Sequence, residues 1–156
     1  MSGIRVFVSF DVEHDRDLYE RFIAQSSTMG LGITVSGASG TFSAAPDWSA
    51  ATRREIQDAQ RILVICGEHT EASLGVFSEL RIAQEERKPH FLLWGRRDRM
   101  CTKPVGARSE TGMYGWTMSI LHEQFAQMGR DAEREAMAKE MKRSVRTPVE
   151  AALPAA

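Results

Sequence analysis

The chain has 156 residues, 42% of them hydrophobic and 26% charged, the balance of one globular domain rather than of a disordered, fibrous or membrane-embedded chain. Its 20 Lys and Arg against 21 Asp and Glu give a formal net charge of -1, which excludes a global field that would collect nucleic acid or an anionic membrane. Two separated cysteines, Cys66 and Cys101, fit a reducing compartment and exclude both a disulfide framework and a cysteine metal cage.

Met1 to Arg5 carries no basic leader followed by an apolar segment, so the expected location is the cytoplasm. The longest apolar runs, Ile62 to Cys66 and Phe91 to Trp94, fall far short of the roughly 20 residues of a membrane-spanning helix. They have the length of buried strands.

Val6-Phe7-Val8 predicts a first strand ending at Ser9-Phe10-Asp11, and the acidic stretch through Asp15 and Asp17 predicts a helix start. Leu18 with Phe22 and Tyr19 with Ile23 form i,i+4 pairs, enough apolar width to cover a sheet face before the helix ends ahead of Met29-Gly30. Ile33 to Val35 reads as a second strand, and Ser36 to Pro46, rich in Gly, Ser and Ala, as a flexible loop. Asp47 is the expected N-cap of a helix from Trp48 to about Ala59, with Thr52, Ile56 and Ala59 on one side.

Ile62-Leu63-Val64-Ile65-Cys66 is apolar throughout, the signature of a central parallel strand covered on both faces. A helix through Phe77, Leu80 and Ala83 follows, Lys88-Pro89 breaks it, and Phe91 to Trp94 makes a fourth strand. Beyond Gly95 the pattern loosens up to Gly115, and a fifth strand has no position that the pattern identifies. From Trp116, with Ile120 and Leu121 inward, a charged helix continues through Met128, Met137 and Met141, and the segment from Thr147 to Ala156 reads as a frayed tail. This organisation predicts an α/β fold, an open parallel sheet of four or five strands with helices on both faces, as a single domain over residues 1–146 with a flexible tail at 147–156.

Ligands of such sheets meet the carboxyl ends of the strands, so the segments to search are Ser9 to Asp15, Ser36 to Trp48, Gly67 to Glu79 and Gly95 to Cys101. Glu79 stands near the start of the helix after the third strand, where the helix amino terminus favours an anion; without that context it is a solvated surface residue. Asp11, Glu13, Asp15 and Asp17 have the chemistry of a magnesium pocket, but the Asp that a phosphoacceptor needs is replaced by Cys66-Gly67-Glu68, and a helix-capping turn is the preferred reading.

Gly30-x-Gly32 precedes a strand and lacks a third glycine, so it is a turn and not a dinucleotide fingerprint. His14, His69, His90 and His122 include no pair at ligand spacing, and no metal site is expected. Cys66 near His69 has the makings of a nucleophile, but an apolar strand end raises a thiol pKa, which favours a core role. Arg96, Arg97, Arg99, Lys103 and Arg108 form a basic cluster suited to phosphate, to a protein partner or simply to solvent.

Taken together, Arg5 to Asp11 with Asp15, then Trp48 and Arg53, Val64-Ile65-Cys66-Gly67-Glu68-His69-Thr70, and Gly75-Val76-Phe77-Ser78-Glu79-Leu80 with Ile82-Ala83 resemble the TIR-like domain family of the Thoeris protein ThsB. The resemblance runs from Arg5 to about Trp94, Tyr114-Gly115-Trp116-Thr117 echoes a late aromatic motif, and the helix beyond Glu123 has no counterpart.

The resemblance implies a flavodoxin-like TIR fold, cleavage of NAD as substrate without a separate cofactor, and production of a cyclic ADP-ribose isomer. It further implies a bacterial antiphage signal read by a separate effector; a phage-derived trigger and a homo-oligomer are candidate partners that the sequence leaves open. Glu79 matches the catalytic position, and Phe10, Asp11, Trp48, His69 and Thr70 are implied to line the substrate pocket. On their own terms Phe10 and Trp48 are equally packing aromatics, and Asp11 and Thr70 equally capping residues. The polar Ser36 to Asp47 loop departs from the family, whose members use the corresponding loop in assembly. Two rivals stand beside this reading: a non-enzymatic TIR-like interaction module using that loop and the Arg96 to Arg99 face, and a response-regulator-like or flavin-binding domain. The missing phosphoacceptor and phosphate loop count against the last.

Overall fold

The computed structural model of the chain describes residues 3–152, with side chains described through residue 144. The elements in chain order are β1 (Ile4–Ser9), α1 (Arg16–Thr28), β2 (Ile33–Ala38), α2 (Pro46–Asp58), β3 (Arg61–Cys66), α3 (Leu74–Glu85), β4 (His90–Trp94), β5 (Met113–Gly115) and α4 (Met118–Ala152), with one 3-10 turn at Thr70–Ala72. The five strands form one parallel sheet in the order β2-β1-β3-β4-β5, a flavodoxin-like open sheet.

The period-two alternation of β3 explains the layers. Leu63 and Ile65 join Val6, Val8, Leu18, Phe22, Leu121 and Phe125 in one core, which places α1 and α4 on that face. Ile62, Val64 and Cys66 join Phe7, Ile56, Val76, Ile82 and Ala83 in the other, which places α2 and α3 opposite. A strand buried on both faces has no polar side to offer, hence the unbroken apolar run.

Several boundaries differ from expectation. Ser36 to Ala38 belong to β2 and not to a loop, because pairing with β1 overrides their weak strand preference. The pairing contains a bulge: Val6 faces Val35 but Phe7 faces Gly37, so Ser36 is the extra residue. That shift draws Ser39 back by one position, level with Ser9 at the end of β1, and Ser39 N–H donates to Val8 O at 3.0 Å.

The N-cap of α2 is Ala45, not Asp47, since Pro46 takes the first helical position, where its missing N–H costs nothing; Asp47 lies in the first turn and suits the helix dipole. The unplaced fifth strand is Met113–Gly115, three residues paired to Leu92, Leu93 and Trp94, too short for a periodic signal. Trp116 docks behind it, donating from Nε1 to Gln25 Oε1 at 2.8 Å with Arg21 over its ring.

Helix α4 runs past the expected boundary at residue 146 as far as Ala152, and residues 153–156 lie outside the described residues. Its first turns bury Leu121, Phe125 and Met128 against the sheet, whereas Met137 and Met141 are 66% and 65% exposed and do not belong to the core stripe. At 35 residues the helix is about 50 Å long, far longer than the strands it covers. No helix of the described residues is long and apolar enough to cross a membrane.

Candidate functional site

In the 2-1-3-4-5 order the chain reverses direction of winding between β1 and β3, and the carboxyl ends of strands at such a point diverge to leave a crevice. A cavity of about 400 Å³ opens there, walled by the loop after β1, the segment after β2 and the amino-terminal part of α3. Its volume is that of a small-molecule site.

Glu79 forms part of its wall. Ser73 caps α3 by accepting the Val76 N–H at 3.2 Å, and that start sets the phase of the helix. Val76, Glu79, Leu80 and Ala83 then fall on the stripe that packs on the sheet, so Glu79 is carried into the interior at 1% exposure instead of facing solvent. Ser9 Oγ donates to Glu79 Oε1 at 2.7 Å and Ser39 Oγ donates to the same oxygen at 2.6 Å. Ser39 Oγ also accepts the Phe10 N–H at 2.9 Å, which ties the carboxylate to the ends of both β1 and β2.

Burial pushes the Glu79 carboxyl up to about 7, against the opposing pull of the Ser39 and Ser9 hydroxyls. The expectation that the helix start would favour its anion is thereby corrected: loss of water outweighs the dipole at this second-turn position. The carboxyl is poised to change charge near neutrality, in surroundings that screen the change less than bulk water does.

The cavity collects most of the expected residues. Phe10, buried and stacked on Tyr19 with centroids 4.7 Å apart, and Asp11, also buried, both line it. His69 lines it from the exposed side, stacked at 4.0 Å on His14. Trp48 does not reach it: its ring meets Phe42 edge-on at 4.9 Å and walls a neighbouring groove with Arg53, Phe77 and Arg81. Thr70 does not line it either; it is fully buried and accepts the Gly67 N–H at 2.7 Å, a structural turn beneath the site. Sequence reasoning missed Ser9, Ser39, His14 and Phe42. The strand-end segments contained all four, yet nothing local distinguishes a serine that will meet a glutamate 40 or 70 residues away.

The acidic loop is divided between two partners. Asp11 Oδ2 lies 2.7 Å from His14 Nδ1, while Arg96 donates to Asp15 Oδ1 at 3.1 Å and to Asp17 Oδ1 at 2.8 Å. Asp15 is the residue before α1 but makes no side-chain cap, correcting the capping expectation; it is spent on Arg96. Its other oxygen presses on Gly67, where any Cβ would collide with it, so the Gly67 position is bare for a packing reason. Among the described residues no group of three or more His, Cys, Asp or Glu side chains gathers in a form that would hold a metal ion.

Part of the expected basic face is committed. Arg96 is bound to Asp15 and Asp17, and Lys103 Nζ donates to Ser109 O at 3.0 Å. Cys66 is buried with its thiol pushed up to about 12 by desolvation, which makes it a core residue. Cys101 is buried as well, its sulfur accepting the Arg96 N–H, and not part of an open polar loop.

Fold and site thus define a flavodoxin-like α/β domain with a buried, hydroxyl-held carboxyl at its switch point. Compared with known proteins, the chain matches no family model and no curated protein.

Proposed function

We propose that this protein is a TIR-like enzyme that cleaves NAD and forms a cyclic ADP-ribose-type signal, acting through a separate effector in antiphage defence of the Thoeris kind. The observation that carries the reading is Glu79, a carboxyl buried in the wall of a 400 Å³ cavity at the carboxyl edge of the sheet and held at one oxygen by two hydroxyls. A buried carboxyl without an ion-pair partner is costly to the fold, and such groups concentrate where chemistry needs them.

The chemistry fits what one carboxylate can do. Nicotinamide in NAD is a cationic leaving group and departs neutral, so no acid is required to expel it. What the step needs is an anion near the ribose as positive charge develops on the anomeric carbon, and a low-dielectric wall strengthens that stabilisation. Glu79 has this role in its ionised form. Phe42, half-buried, supplies apolar surface on the same cavity for a pyridine ring, while Phe10 lies packed on Tyr19 within its wall. If a hydroxyl of the adenosine ribose reaches the anomeric carbon before water does, the product is cyclic, so orientation and exclusion of water select cyclase over hydrolase.

The test is nucleotide analysis of cells making wild-type or Glu79→Gln protein, with and without phage challenge. The expected result is a cyclic ADP-ribose species that requires Glu79. Intact NAD and no new nucleotide under every challenge, with folded protein present, would refute the reading in favour of a non-enzymatic TIR-like interaction module.

A further inference from the structure

Asp11 and His14 form a second acid-base element in the wall of the same cavity. His14 Nδ1 stands 2.7 Å from Asp11 Oδ2, and Asp11 Oδ1 accepts the Glu13 backbone N–H at 3.1 Å. The turn sets this spacing, since the backbone N–H groups of His14 and Asp15 both donate to Asp11 O. The His69 ring lies on the His14 ring with centroids 4.0 Å apart and planes 29° from parallel. The imidazole is therefore held by its edge and by its face.

With Nδ1–H directed at the carboxylate, neutral His14 keeps its lone pair on Nε2, which makes no hydrogen bond among the described residues. Asp11, His14, His69 and Glu79 all line one cavity. The pair has little to do for stability: the His14 side chain is 46% exposed, and ion pairs that wet contribute little. An oriented imidazole with an unoccupied nitrogen beside a cavity is the arrangement that accepts a proton from a hydroxyl.

We propose that the Asp11–His14 pair is the general base of this cavity, taking the proton of the hydroxyl that attacks the anomeric carbon. The proposal rests on the NAD-cleaving reading and divides that reaction between two groups. The bond from the anomeric carbon to the nicotinamide nitrogen breaks, and its electron pair leaves with neutral nicotinamide; Glu79 faces the cation that remains. An oxygen of water or of the adenosine ribose then bonds to the anomeric carbon, and its proton passes to His14 Nε2. The imidazolium, stabilised by the Asp11 carboxylate, returns the proton to solvent. The hydrogen bond that His14 donates to Asp11, together with the charges of Asp11, Glu13 and Asp15, holds the His14 pKa above the usual imidazole range; His69, Glu68, Arg96 and Arg99 are the other titratable or charged groups around it.

The two halves are separable by experiment. Exchange of labelled nicotinamide into NAD runs the first bond cleavage forward and back and moves no proton, whereas net product requires the base. The full chain purified from challenged cells is assayed for both as wild type, Glu79→Gln, His14→Gln and Asp11→Asn, with folding checked by thermal melts. His14→Gln is expected to keep exchange and to lose product by roughly 100-fold or more, and Asp11→Asn to change in the same sense. Product at the wild-type rate in both variants overturns the proposal, as does parallel loss of exchange and product in folded variants. Wild-type exchange that depends on Glu79 isolates such a failure to the Asp11–His14 pair. Absence of exchange and product in the wild type overturns the NAD reading and the base with it.

Discussion

Ser39→Ala tests the hydroxyl cradle of Glu79 most directly. The substitution removes a 2.6 Å donor from Oε1 and leaves Ser9 as the remaining hydroxyl on that oxygen. A hydrogen bond to a charged acceptor contributes about 1.5 to 3 kcal/mol, and 1.36 kcal/mol is one pH unit of titration, so losing it disfavours the anion by roughly one to two pH units. Because the carboxyl already titrates at about 7, the variant carries Glu79 mostly protonated at neutral pH. The assay is carbon NMR of glutamate labelled at the side-chain carboxyl, with the Glu79 signal assigned by its absence in Glu79→Gln. An upward shift of the titration midpoint is expected, and activity that needs the ionised carboxylate moves to higher pH with it. A midpoint that stays or falls refutes the argument, since it would mean that Ser39 does not stabilise the charged form.

Two further outcomes follow from burial. Glu79 has a folded-state pKa near 7 against an ordinary value of 4.5, so the folded state binds the extra proton and stability declines as pH rises from about 4.5 to 7, by about 3 kcal/mol in all; Glu79→Gln is expected to melt above wild type at pH 8 and level with it at pH 4, by calorimetry. In α4, Phe125→Ala is expected to lose about 3 to 5 kcal/mol in denaturant unfolding, and Met137→Ala to stay within about 0.5, because the first residue is buried in the core and the second is 66% exposed.

Much of this architecture is local information. The continuous apolar run of β3, the i,i+4 pairs of α1 and the Lys88-Pro89 break each reflect the chain's own periodicity and backbone chemistry. The β5 strand left no such trace, because three residues hold a strand conformation only through the ladder to β4. The same holds for Ser36 to Ala38, whose Gly and Ser composition argues for a loop until β1 supplies their hydrogen-bond partners.

The amino-acid sequence by itself determined the α/β alternation, the parallel sheet and the strand ends where chemistry would gather, since these depend on hydrophobic period and turn residues within short windows. It also marked Glu79, but not its state. Only the tertiary structure decided that Glu79 is buried, that Ser9 and Ser39 converge on one of its oxygens, and that His14 joins the cavity while Trp48 and Thr70 do not. The physical reason is that desolvation and hydrogen-bond geometry arise between segments brought together from across the chain. A one-residue bulge in β2, which no local pattern announces, carries Ser39 to its place beside Ser9.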